Sequence, residues 1–360
     1  MIDPMPDSAT PQLVRDDDRN VWIANDASTV QAVFTSAACH VRPTAEPVPS
    51  AFLGTPAAEI YRRLVRMNDG EFHAARKPAL ERALGKIDLD RVRAECNCWA
   101  TRLTNEAARP IDVDQLLFDL PTATLASVLG VPDADVPELL PQVRDFALSI
   151  PGGASADQLE RGILAAGYLL QLFQRLRPDA LPDSFLASLQ REMRSVGETD
   201  PDTTIANTIG FFFQAYEGTA GLVASTLIAI AANVPPATRD DPQVIRDIVA
   251  ERLRDDPPVP AARRFVAEEM VIAGQNLSEG DVIVLMLGDA NRCPHLAGMP
   301  DSFSGGFGPH ACPGQEIART IAEATARNLL RAGVCDQPFP EPIAFRPSGV
   351  ARIPLLNRQI

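Results

Sequence analysis

The chain has 360 residues, is 46 % hydrophobic and carries a net charge of −14, enough for one large core or two ordinary domains. The acidic balance excludes a general nucleic-acid binder, which needs a basic footprint. No stretch offers the roughly 18 uninterrupted apolar residues of a membrane span, since the most apolar run, 209–232, is interrupted by Gln214, Glu217, Gly218 and Thr219.

The start of the chain, MIDPMPDSATPQLVRDDD, is acidic and has no basic-then-apolar signal pattern. A cytoplasmic protein with no membrane and no nucleic-acid partner is expected. Residues 1–19 are expected to be a poorly ordered extension, and 20–360 a single domain.

Helical periodicity dominates the rest of the chain. It predicts helices over 27–36, 56–65, 73–83, 90–107, 114–129, 136–149, 156–176, 184–196, 204–232, 243–254 and 314–332. Pro110, Pro132, Pro151 and Pro182 fall in the breaks. Strand signals are few: 21–24, 264–266, 270–272, 282–286 and a terminal pair near 343–346 and 351–355. The fold class is therefore mainly α with a small β region (α+β). Between Arg62 and Arg93 there are nine Lys/Arg against five Asp/Glu, a basic stretch able to steer an acidic partner.

The six cysteines form no paired CxxC set, so a zinc site is not indicated. Cys312 is set apart by its surroundings, Gly-Gly-Phe-Gly-Pro-His-Ala-Cys-Pro-Gly (305–314). A thiolate ahead of the helix at 314–332 would be stabilised by the helix N-terminus and open to a ligand. Gly306, Gly308 and Gly314 allow close backbone approach to a flat object. His310 could hold an anionic group beside the thiol. These features suit a thiolate ligand to haem iron with a propionate nearby.

The stretch GGFGPHACPGQEIAR (305–319) resembles the haem-ligand loop of the cytochrome P450 superfamily, with Gly305 where the family has Phe. The order Glu251-x-x-Arg254, Pro257-Pro258 and Arg264 is similar to the family's structural ion-pair motif, turn and propionate-holding arginine. The segment 273–294 also looks like a family hairpin followed by Ala-Asn-Arg-x-Pro. MNDGEFHAARK (67–77) resembles the helix that supplies His73 and Lys77 to the propionates. The resemblance spans roughly 20–357 and implies a shortened cytochrome P450 fold holding haem b, with Cys312 as axial ligand. Ala215 and Gly218 would lie against the haem on the long helix.

Three departures stand out. The family's Ala-Gly-x-Asp/Glu-Thr becomes Ala215-Tyr216-Glu217-Gly218-Thr219. Thr219, Tyr216 and Glu217 are the catalytic candidates, but two residues along a helix is a turn of about 200°. Glu217 should therefore face away from Thr219. Pro313, after the ligand, has no N–H to donate to the sulfur. The region before Cys312 is abbreviated, and Pro300-Asp-Ser-Phe303 lacks the arginine that completes the Glu251–Arg254 network.

The resemblance implies an oxidoreductase: a monooxygenase of specialised (secondary) metabolism that oxidises a small-molecule substrate with dioxygen and electrons from a ferredoxin. The donor would dock near Arg62, Arg66, Arg76, Lys77 and Arg82. Alternatives are peroxide-driven chemistry, a rearrangement, dehydration, coupling or decarboxylation, and a catalytically silent relative. Phe52, Leu53, Phe146, Ile150, Phe212, Ala215 and Val350 are candidates for an apolar substrate pocket.

Overall fold

A computed structural model describes residues 13–105, 110–150, 153–176, 184–293 and 302–360. The chain opens with β1 (Leu13–Asp16), β2 (Val21–Ala24), α1 (Ala27–Thr35) and β3 (Cys39–His40). Helices α2 (Pro56–Arg62), α3 (Gly70–Leu84), α4 (Leu89–Asn105), α5 (Val113–Leu129), α6 (Val136–Ser149), α7 (Ala156–Arg175), α8 (Phe185–Ser195), α9 (Pro201–Asn233) and α10 (Pro242–Asp255) follow. Then come β4 (Ala261–Val266), β5 (Met270–Ile272), β6 (Gln275–Leu277), β7 (Val282–Met286), α11 (Leu287–Arg292), α12 (Gln315–Arg331), β8 (Phe345–Arg346) and β9 (Ile353–Pro354).

The axis of the helical part is α9, 33 residues and about 50 Å long. The Asp200 carboxylate accepts from the Asp202 N–H, and Pro201 occupies the first turn, where its missing N–H costs nothing. By length and composition α9 could cross a membrane. Here it is a core helix, packed against α5, α10 and α12, with Ile209, Val223, Leu227 and Ile230 fully buried. α5 is just as enclosed: every residue from Leu116 to Leu129 except Asp119 is buried.

The N-terminal strands and the strands after α10 meet in a five-stranded sheet of order β1-β2-β7-β4-β3, with β2 and β7 parallel. Leu13, Val30, Phe34, Ile283, Leu285 and Phe303 form its separate core. The expected extension is thereby shortened. Leu13 is buried and pairs with Ala24, so residues 13–16 are a strand of this sheet. Residues 1–12 lie outside the description, as do Pro151, Pro182 and the Pro300–Asp301 part of the abbreviated segment.

Periodicity located the long helices well. It missed β1, β3, β6 and α11, which are too short to show a period. The strand predicted over 264–266 begins earlier, at Ala261, because Ala261 to Phe265 pair with β7, Arg263 and Arg264 meeting Val284 and Ile283.

Candidate functional site

The loop before α12 is built by its glycines and by short backbone bonds. Gly306 N–H donates to Phe303 O, Ala311 N–H to Gly308 O, and Cys312 N–H to Gly305 O at 2.7 Å. Gly306 and Gly308 have φ of +72° and +66°, where a Cβ is strained. Gly308 meets the backbone of Phe34 and the side chain of Thr35 on α1, so its close approach is to protein. Gly314 has open space around it. Where the family has Phe, a Cβ on Gly305 would meet Gln315 Oε1 at 1.9 Å; Gln315 fills that volume.

Cys312 is exposed and forms part of the wall of a cavity of about 870 Å³. Gly306, Pro313 and Gly314 flank it. From α9, Phe212, Ala215, Tyr216, Gly218 and Thr219 line the same cavity. Thr219 is buried but its hydroxyl makes no hydrogen bond among the described residues, unlike Thr208, which bonds back to Thr204 O. The Tyr216 ring packs on Phe118 with centroids 4.7 Å apart. Its hydroxyl is buried without a partner among the described residues. Burial pushes its pKa up, so it stays a phenol.

Glu217 does not belong to this wall. It is buried, and its Oε2 accepts from Ser348 Oγ at 2.9 Å. Its assignment as a catalytic residue is corrected accordingly: the helical turn aims it at the C-terminal segment. The pocket residues need similar correction. Phe212 and Ala215 line the cavity. Phe52 and Phe146 are core, Leu53 and Val350 are exposed, and Ile150 is half-buried away from it.

A second cluster lies behind the loop. His310 Nε2 donates to Asp69 Oδ1 at 3.0 Å, and its ring lies 4.0 Å from that of His73. Lys77 Nζ donates to Pro309 O at 3.2 Å and to Ala311 O. Arg264 is buried over the Phe34 ring, donates to Arg263 O, and is lowered by burial to about 10. His73, Lys77, Arg264 and His310 are thus near the loop but outside the cavity wall. Sequence reasoning missed Asp69, which has no motif of its own.

Burial, with His310 and Lys77 nearby, lowers His73 from 6.5 to about 4. The unfolded chain therefore binds this proton more readily between those values. Stability is full above pH 6.5 and falls as pH drops toward 4, by up to about 3 kcal/mol. His73→Gln is expected to flatten that part of the curve in denaturant unfolding.

Glu251 and Arg254 do not form the expected network. Glu251 pairs with its neighbour Arg252, and Arg254 with Asp255. Asn291 takes over the bracing: its Nδ2 donates to Arg254 O, and its Oδ1 accepts from Phe303 N–H at 2.7 Å. The basic stretch is also largely compensated. Arg62 pairs with Glu59, Arg76 with Glu198, Arg82 and Lys86 with Glu192, and Lys77 turns inward. Of the five expected docking residues, Arg66 alone is exposed without an ion pair among the described residues.

The residues fit haem on the chemistry of their donors. Among the described residues no three His, Cys, Asp or Glu side chains converge as a metal site. A lone thiol that binds metal needs a group bringing the remaining ligands. The cavity of about 870 Å³ leaves volume for such a group, and Ala215 and Gly218 are among the small residues that line it with Cys312. His73 Nε2 and His310 Nδ1 are buried without partners among the described residues, as an anionic substituent would require.

No protein-family model matches the chain. It is 24 % identical over 235 residues to the biotin biosynthesis cytochrome P450 of Bacillus subtilis, covering 61 % of this chain and 59 % of that one. It is 26 % identical over 296 residues to cytochrome P450 144 of Mycobacterium tuberculosis, covering 76 % and 64 %. The matches thus span about three fifths of these relatives' length. Among solved structures, CalO2 superposes with a TM-score of 0.79 at 23 % identity, over 95 % of this chain and 90 % of that one. The chain therefore has the cytochrome P450 fold, and its sequence is similar to members of that superfamily.

Proposed function

We propose that this protein is a haem-thiolate monooxygenase, holding haem b and oxidising a small organic substrate of specialised metabolism in the cytoplasm. The observation that carries the reading is that the exposed Cys312 and the middle of α9 line one cavity. The haem supplies dioxygen activation when bound; the protein supplies binding, orientation and electrostatics.

Cys312 would hold the iron, and Ala215 and Gly218 would leave room on the opposite face. The Thr219 hydroxyl would hold or pass a proton on that side. Leu84, Leu125, Phe211, Phe212 and Val259 give the cavity apolar walls, which favour a largely apolar substrate. His73, Lys77, Arg264 and His310 would hold the propionates, exchanging their present partners for a carboxylate. The electron donor would be a ferredoxin. Internal pairing of Arg76 and Arg82 leaves Arg66 as the cation of the expected docking stretch with no ion pair among the described residues.

A second reading is favoured by α9. Gly218 has no side chain, and Glu217 is committed to Ser348, so the acid that accompanies Thr in the family is missing from the wall. Hydrogen peroxide carries its own two electrons and two protons, so peroxide-driven turnover needs neither donor electrons nor protons delivered to dioxygen by that acid.

The test is the absorption spectrum of purified protein reduced with dithionite under carbon monoxide. A Soret band shifted far to the red is the expected result, followed by ferredoxin-supported oxidation. No haem band after haem supplementation would overturn the proposal in favour of a silent relative. Peroxide-supported turnover exceeding ferredoxin-supported turnover would favour the second reading.

A further inference from the structure

Glu217 is a buried acid on the central helix that neither cavity nor relay uses. Its partner Ser348 sits in the turn between β8 and β9. The Ser348 Oγ donates to Glu217 Oε2 at 2.9 Å and accepts from the Val350 and Ala351 N–H groups, each at 3.0 Å. A hydroxyl has one donor and two acceptor sites, and here all three are used. The turn therefore closes on one hydroxyl, and α9 holds that hydroxyl through Glu217.

The next residues carry the constraint to the cavity. Arg352 N–H donates to Pro258 O at 2.7 Å. Pro257, Pro258 and Val259 form the cavity wall beside Gly218 and Thr219. One turn after Glu217, Gly221 lets Arg352 O come close: a Cβ there would lie 2.6 Å from that oxygen and 3.0 Å from Pro258 Cβ. Arg352 also pairs with Asp256, just before the prolines. The turn is thus fixed at one end to α9 and at the other to the wall.

We infer that Glu217 is a positioning residue that, through Ser348, locks the 348–352 turn and so sets the Pro257–Val259 wall and the room left for an apolar substrate. What the turn needs from residue 217 is an acceptor oxygen. Burial raises the Glu217 carboxyl pKa, with Arg346 as the charged group opposing the rise. A neutral amide should therefore replace it.

The experiment compares Glu217→Leu, Glu217→Gln and Ser348→Ala by hydrogen exchange on the full chain without added haem. The loss of one hydrogen bond corresponds to exchange about fivefold faster. That rise is expected over 349–353 and also at the Ala261 and Ala262 amides, which follow the proline wall into β4, in Glu217→Leu and Ser348→Ala, with Glu217→Gln near wild type. Faster exchange at 349–353 without change at Ala261 and Ala262 would overturn the wall-setting role. Unchanged exchange in both variants, or loss in Glu217→Gln equal to that in Glu217→Leu, would overturn the clamp. If Glu217→Leu does not fold, Ser348→Ala and Glu217→Gln still decide.

The haem-cavity reading enters only in the second measurement. In haem-loaded protein, the dissociation constant of 4-phenylimidazole is expected to shift about fivefold in Ser348→Ala and to stay put in Glu217→Gln. An unchanged constant in Ser348→Ala would overturn the effect on cavity space. Failure of the chain to take up haem would overturn the monooxygenase reading while the exchange result stood.

Discussion

Cys312→Ala is expected to abolish the red-shifted Soret band of the reduced, carbon monoxide-treated protein and to bring turnover to background. Thiolate ligation is the source of both the spectrum and the electron donation that favours O–O cleavage. The fold should survive. Cys312 is exposed, and the loop is held by backbone bonds from Cys312 N–H, Gly306 N–H and Ala311 N–H that alanine preserves. Stability should therefore change by no more than about 0.5 kcal/mol, as at other surface positions. Absorption spectroscopy and thermal unfolding on the same preparation separate the two effects. A red-shifted band that persisted in the variant would show that the ligand lies elsewhere, although Cys39, Cys96 and Cys335 are buried.

Gly221→Ala should destabilise the chain by about 1–3 kcal/mol, the usual cost of overpacking. Two opposing effects meet here. Alanine in a helix interior gains about 1 kcal/mol over glycine. Against it, the new methyl would sit 2.6 Å from Arg352 O, a backbone atom tied by its own residue's N–H to Pro258. Backbone cannot rotate away as a side-chain tip can, so the clash wins and the C-terminal strand must move off α9. Gly218→Ala is the matched control. Its Cβ would be 3.4 Å from Val259 Cγ2, an ordinary contact, so the propensity gain should prevail. Denaturant unfolding of the two variants should therefore give opposite signs. The same sign in both would mean that the contact between α9 and Arg352 carries no strain.

The sequence by itself determined the long helices, the thiol loop and the family resemblance. Those signals are local: long apolar runs along α5 and α9, turn chemistry around Gly306 and Gly308, and a lone cysteine ahead of a helix. It also told that Glu217 must point away from Thr219, since that follows from helix geometry alone.

Tertiary structure decided the partners. Whether Glu251 meets Arg254 depends on what lies beside α10, and each found its own neighbour while Asn291 bridged to Phe303. The basic stretch counted as a patch along the chain, but Glu192 and Glu198, more than a hundred residues away, neutralise much of it. Ser348 is an ordinary turn serine until folding brings it to Glu217. Charge pairing, cavity walls and the reach of one hydroxyl depend on distances between residues far apart in the chain, and no local pattern encodes those distances.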